Sequence, residues 1–294
     1  MEVGATVNGE RIEYQSGNHK IKAYVATPKS GTEKLPAVIV VHEIFGLDPH
    51  IEDVARRFAA EGYVALAPDL YSKPGMPVTP QEIEKGMGFM MSLPPSEMRN
   101  HEYVSAKIRE LPEDEGKTVG KAMKWLTERN LDEHVPDLKA GFEWIVGNKS
   151  VDRNRVFAIG FCMGGTLVGK LAAEGTELAG ASIFYGENPP VEKIARIKCP
   201  VLGIYGGEDH RITDKVPELE RLMKENGKSF RYRVFPGAYH AFFNDTRKMY
   251  NKEAAAEAWK DVLGFFGKDS RQYGTSCVHI FSPSLCAPSR GLLQ

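Results

Sequence analysis

The chain has 294 residues, 42% of them hydrophobic, and 38 Lys and Arg against 39 Asp and Glu give it a formal net charge of -1. That length can bury a full core, and the charge balance leaves no global field to recruit nucleic acid or an anionic membrane, which points to a small-molecule partner. No apolar run reaches the roughly 18 residues of a membrane span, and Met1 to Glu10 lacks the basic and apolar regions of an export signal, so the expectation is a soluble, cytoplasmic monomer or homodimer.

In chain order, Leu35 to His42 reads LPAVIVVH, a continuous β-branched run that predicts a central parallel strand covered on both faces. Asp48 and Pro49 follow as N-cap and first-turn residue, and Ile51, Val54, Ala55, Phe58 and Ala59 recur at helical spacing until Gly62. Tyr63 to Ala67 then resumes as strand, giving a βαβ unit with a right-handed crossover. Between Tyr71 and Pro136 the chain becomes Met-rich and Pro-punctuated, with short helices predicted near Gln81–Met91, Glu97–Arg109 and Lys117–Glu128. We read residues 72–136 as an insertion over the strand ends, a helical cap on the pocket.

Alternation resumes with strand Arg155–Ile159, a helix from about Gly164 to Ala173, and strands Ala181–Tyr185 and Val201–Tyr205. Helix Asp214–Asn226, strand Phe230–Phe235 and helix Lys252–Phe266 complete it. Such alternation predicts an α/β protein with a doubly wound, mostly parallel sheet. Residues 1–268 form one domain in this reading. Asp269 to Gln294, rich in Ser, Pro and Gly without apolar periodicity, reads as a disordered tail. The four cysteines, at 162, 199, 277 and 286, include no CxxC pair and no metal-site spacing, so no zinc centre is expected. Cys277 and Cys286 lie close enough in sequence for a local disulfide within the tail.

The chemistry concentrates where strand Val156–Ile159 runs into Gly160-Phe161-Cys162-Met163-Gly164-Gly165 and a helix. This is the nucleophile-elbow pattern with cysteine in the nucleophile position. The small residues permit a strained turn, and the helix N-terminus favours thiolate. Such a nucleophile needs a base and an orienting acid, in the chain order nucleophile, acid, histidine. Strand Val201–Tyr205 ends in Gly206-Gly207-Glu208-Asp209, and strand Arg231–Phe235 leads through Pro236 to His240, which places Asp209 and His240 on one sheet edge with Cys162. His210, Glu208 and Asp214 are weaker rivals by position. Glu43, after the first parallel strand, faces the pocket mouth and is placed to act on the cysteine or histidine. The N–H groups of Ile44 and Met163 are the candidate oxyanion donors.

Together HEIFGLDPHIEDVARRFAAEGYVALAPDLY, GFCMGG, GGEDH and PGAYHAFFND resemble the dienelactone hydrolase family, also called carboxymethylenebutenolidases, over about Arg11 to Gly267. The resemblance implies an α/β-hydrolase fold without cofactor, a Cys162–His240–Asp209 triad, and Glu43 as a glutamate that partners the cysteine. It implies an ester or lactone hydrolase acting through an acyl-enzyme, on cyclic enol-lactones or on simpler esters. Two departures stand out. Dienelactone-specific members resemble one another in holding the substrate carboxylate with arginines, one of them four residues after the catalytic histidine, where this chain has Asn244; Arg247, Arg211, Arg99 and Arg109 are the candidate substitutes. The insertion is also longer than in compact members. Two readings of other classes remain open on the residues alone. One is a thiol-based redox sensor using the elbow cysteine, the other a non-catalytic small-molecule binder; ordered Asp209 and His240, which sensing does not need, favour hydrolysis.

Overall fold

The computed structural model describes residues 7–29, 34–94, 96–98 and 100–267, together with the backbone of Val278–His279. Among the described residues nine strands form one sheet: β1 (Val7–Ser16), β2 (His19–Pro28), β3 (Leu35–Val41), β4 (Val64–Asp69), β5 (Val151–Phe161), β6 (Gly180–Phe184), β7 (Val201–Gly206), β8 (Phe230–Phe235) and the two-residue β9 (Val278–His279), in the order β1-β2-β4-β3-β5-β6-β7-β8-β9. β1, β2 and β4 pair antiparallel, and every pairing from β4 through β3 to β9 is parallel. This is the mostly parallel, doubly wound sheet expected. The chain leaves β3 towards β4 on one side and returns to β5 on the other, so the loops after β3 and β5 open at a topological switch point, where ligands of such sheets bind.

Strand β3 shows how the sequence builds the core. Its side chains alternate faces, Ala37, Ile39 and Val41 entering one apolar layer and Val38 and Val40 the other, all at 0% exposure. Helix α1 (Pro49–Ala60) covers the second layer with Ile51, Val54, Ala55, Phe58 and Ala59, starting at Asp48, whose carboxylate accepts from the Ile51 amide at 3.0 Å. Burying a side chain such as Val54 or Phe58 contributes roughly 1.5–3 kcal/mol. Helix α9 (Lys252–Gly267) lies on the same layer through Ala258, Val262 and Phe266. The opposite layer is closed by α5 (Val135–Val146), α6 (Met163–Ala173) and α8 (Val216–Glu225) through Leu138, Leu167, Leu171, Leu219 and Met223. Cys162, between the layers, packs against both.

Several expectations are corrected. The β1–β2 hairpin and helix α5 were not foreseen, and the insertion therefore gives way to a core helix at Val135. The helix expected over Asp214–Asn226 is α8, and a separate short helix that was not expected, α7 (His210–Thr213), precedes it; Pro217 sits in the first turn of α8 and cannot continue a preceding helix. In the insertion, α2 (Pro80–Ser92) matches its expectation closely and opens with a capping box between Thr79 and Glu82. α3 (His101–Arg109) begins later and α4 (Glu113–Glu128) earlier than expected. α2 and α4 pack tightly, with room at Gly86 only for hydrogen against Ala122. The tail and its cysteines, Cys277 and Cys286, lie outside the described residues except for β9. No helix among the described residues is long and apolar enough to cross a membrane.

The hairpin is fastened to α5 by a buried polar cluster. Asp137 accepts from Ser16 Oγ at 2.6 Å and from His19 Nε2 at 2.8 Å, and the Tyr14 hydroxyl donates to the Asp137 carbonyl at 3.0 Å. His134 lies buried nearby; burial, with the Lys73 ammonium adding to it, pushes its imidazole down to about 4.

Candidate active site

The turn that carries Cys162 is held in a conformation few side chains adopt, with φ 53° and ψ -115°. Glycine is required on either side: a Cβ on Gly160 would lie 2.1 Å from the Gly164 carbonyl, and one on Gly164 would lie 2.2 Å from that of Val41. Cys162 N–H donates to Phe184 O at 3.0 Å, and its carbonyl accepts from Thr166 N at 3.2 Å, which fixes the elbow to β6 and to the first turn of α6. The sulfur thus stands at the N-terminus of α6, where unpaired amides favour negative charge. Two further non-glycine residues have positive φ, Tyr185 at 38° and Ala241 at 64°. All three flank the same site, as stored strain at functional positions does.

Asp209 ends the turn after β7 at 7% exposure. It begins α7 but makes no capping bond with its side chain, so its carboxylate is free for other work. It accepts from Nδ1 of His240 at 2.5 Å. The His240 ring is about one-third exposed, at 32%, and lies within hydrogen-bonding reach of Cys162. Burial works against charging this imidazole, yet the negative charge of Cys162 and the bond from Asp209 together push it up to about 10. An Nδ1–H fixed on a carboxylate leaves Nε2 for the thiol. Of the rivals, Glu208 is exposed, and His210 is exposed and lies 3.3 Å from Asp214.

Glu43 is 1% exposed. Its carboxylate accepts from Asn244 Nδ2 at 2.6 Å and from the Tyr185 hydroxyl at 3.3 Å. Its hydrogen bonds therefore go to Asn244 and Tyr185, with His240 close enough to act on it electrostatically. Burial raises the Glu43 carboxyl above the usual range, and the Asn244 bond only partly offsets this. Ile44 and Met163 are both buried. Met163 is the first residue of α6, so its N–H has no intrahelical acceptor.

Three residues around this centre escaped the sequence reading. Tyr71 donates to the Ile44 carbonyl at 2.9 Å and carries the edge of Trp125 from α4 at 5.5 Å between ring centres. Tyr185 sets its ring 5.1 Å from that of His240. Arg129, just after α4, is half-buried beside the Trp125 ring and near Cys162, and burial holds its guanidinium below the ordinary range. Its Nη1 donates to the Leu126 carbonyl, while its buried Nε has no hydrogen-bond partner among the described residues. Of the arginines named as substitutes, Arg211 pairs with Glu187, and Arg247 pairs with Glu84 at 3.1 Å while stacking on Phe45 at 3.7 Å. Arg109 ends α3, and Arg99 is outside the described residues. Among the described residues no three His, Cys, Asp or Glu side chains converge as a metal centre requires.

Compared with known proteins, residues 21–270 match the model of the dienelactone hydrolase family. A protein of Saccharolobus solfataricus named "Putative carboxymethylenebutenolidase" is 39% identical over 263 residues, covering 89% of this chain and 99% of that one. A protein of Escherichia coli K12 with the same name is 31% identical over 271 residues, covering 88% of this chain and 85% of its own. Among solved structures, one described as a "Putative Dienelactone Hydrolase" from Klebsiella pneumoniae superposes with a TM-score of 0.69 at 28% identity, over 89% of this chain and 99% of that one.

Proposed function

This chain belongs to the dienelactone hydrolase family of α/β-hydrolases, and from that premise we propose that it hydrolyses a carboxylic ester or lactone of a small molecule through a cysteinyl acyl-enzyme. The observation that carries the reading is the chain Asp209–His240–Cys162, with its 2.5 Å carboxylate–imidazole bond and its thiol on a strained elbow.

In this mechanism the Cys162 thiolate attacks the carbonyl carbon, and the oxyanion that forms accepts from the Ile44 and Met163 amides. His240, protonated and held by Asp209, gives its proton to the leaving oxygen as the C–O bond breaks. Water then yields a proton to His240 and attacks the thioester, and the acid departs as the C–S bond breaks and the thiolate is restored. Esters and lactones suit this site better than amides, because thiolate is itself a good leaving group from the tetrahedral adduct. Each oxyanion donor is expected to supply on the order of 3 kcal/mol.

Helices α2 to α4 act in this reading as a cap, with Trp125 against Tyr71 and Glu84 tied to Arg247. Asn244 is sealed at 0% exposure and spends its amide on Glu43, so it does not hold a substrate carboxylate. Among the described residues Arg129, with one guanidinium nitrogen already given to the Leu126 carbonyl, is a candidate cation for an anionic substituent near the thiol.

The test is hydrolysis of p-nitrophenyl acetate, p-nitrophenyl butyrate and a dienelactone by wild type and Cys162→Ala under reducing conditions. Activity that vanishes with the thiol supports the proposal, and the ranking of the three separates lactonase from general esterase. Inert wild type, or an alanine variant of equal activity, overturns it.

A further inference from the structure

Tyr71 is placed to control both proposed oxyanion donors at once. Its hydroxyl, buried with the rest of the side chain, donates to the Ile44 carbonyl at 2.9 Å and lies 3.5 Å from the sulfur of Met163. The ring meets His42 edge-on at 4.9 Å on the β3 side and Trp125 at 5.5 Å on the α4 side. Gly46, at φ 79°, closes the loop after Ile44 against the same ring, where a Cβ would come within 3.2 Å. A loop hinged on a positive-φ glycine has freedom to pivot, and the phenol holds it from the carbonyl of the residue whose amide faces substrate. Burial keeps this phenol far above its ordinary range, so it remains a donor at any working pH.

We propose that Tyr71 is a positioning residue for the oxyanion pair, holding the Ile44 loop and the Met163 side chain on one hydroxyl while Trp125 of the insertion braces its ring. This rests on the reading of Ile44 and Met163 as the oxyanion donors. Preorganised donors act through placement, and a shift of a fraction of an ångström weakens them.

The experiment compares wild type with Tyr71→Phe, which keeps the ring and its three packing contacts, and with Trp125→Leu, which keeps the hydroxyl and removes its brace. Each is assayed on p-nitrophenyl butyrate and on the matching thionoester, whose sulfur is a poor acceptor for amide donors, and for the rate of Cys162 alkylation by iodoacetamide. For Tyr71→Phe the expected kcat on the oxoester falls about 10- to 100-fold, at the scale of a weakened oxyanion donor. KM should stay within about twofold, the preference for oxoester over thionoester should shrink, and alkylation should proceed at the wild-type rate. Trp125→Leu should show the same signature at a few-fold amplitude, and it carries the test alone if Tyr71→Phe does not fold. Oxoester kcat unchanged in the folded variants, or a fall matched by slower alkylation, overturns the proposal while leaving the hydrolase reading intact. A wild type inert on both esters removes that reading and the proposal with it.

Discussion

Asn244 donates from Nδ2 to Oε2 of Glu43 at 2.6 Å, and both side chains are sealed from solvent. The amide cannot turn round, because Thr246 donates to its Oδ1 from N at 3.0 Å and from Oγ1 at 2.7 Å. The glutamate is thereby given a neutral partner, so burial outweighs stabilisation and its carboxyl titrates above the usual range.

From that sign, Glu43 costs the folded state stability as pH rises from the ordinary carboxylate value of 4.5 to its raised folded value, above which the penalty levels off, since ionisation is easier in the unfolded chain. Glu43→Gln is expected to be more stable than wild type at pH 8 and closer to it at pH 5, with reduced esterase activity. Asn244→Leu should lose about 1–3 kcal/mol, more at pH 8 than at pH 5. Urea denaturation at the two pH values measures both, and a loss for Asn244→Leu that does not depend on pH would remove the link to Glu43.

His240 yields a second prediction. Burial opposes its charge, and the Cys162 charge is the largest of the influences that nonetheless raise it to about 10. Because its folded value lies above the ordinary 6.5, the pairing contributes stability fully below that pH and loses it as pH rises through about 10. The imidazolium proton needed by the leaving oxygen is lost over the same window, so kcat/KM should decline there. In Cys162→Ala the ring should titrate well below 10, as NMR of its ring protons would show. An unaltered titration would mean that Asp209 alone sustains the charge.

Asp209→Asn should lower kcat on the order of 10³-fold, by freeing the imidazole to take the wrong tautomer. Since the Asp209 side chain caps no helix, circular dichroism should be unchanged. A variant retaining a tenth of the activity would assign the orienting role elsewhere.

The cluster under the hairpin sets the response to acid. With His134 pushed down to about 4, acidification from 6.5 towards 4 protonates the unfolded chain before the folded one, so stability falls across that interval. His134→Gln should reduce the difference in Tm between pH 7 and pH 5, a contribution of at most about 3 kcal/mol. Equal acid sensitivity in the variant would exclude His134 as the cause.

Much of the architecture was legible because local and global signals agree. LPAVIVV is buried on both faces and reads as nothing else, and the turn around Cys162 needs its glycines for contacts made within a few residues. The meeting of Asp209 and His240 was legible because the order of strands puts both turns on one edge. The hairpin was missed for a physical reason: Glu10, Arg11, Glu13, Lys20 and Lys22 give it a polar, exposed face, while its buried face is supplied by partners far along the chain, such as Asp137 for Ser16. Tyr71 closes one of the stretches that carry the family resemblance and Tyr185 lies in none, and the role of each depends on a hydroxyl meeting Ile44 or Glu43 across 27 or 142 residues. Asn244 read as a missing arginine, whereas the fold turns it inward to Glu43.

The position of Cys162 against both apolar layers has a practical outcome. Were the proposed nucleophile seated on one layer alone, it would survive softening of the other, and the enzyme could lose part of its structure while still turning over. Here loosening on either side of the sheet reaches the sulfur, so the upper operating temperature is that of the layer that gives way first. Reinforcing only the sturdier of the two layers, whether through α1 and α9 or through α5, α6 and α8, would therefore leave unchanged the range over which the proposed nucleophile works.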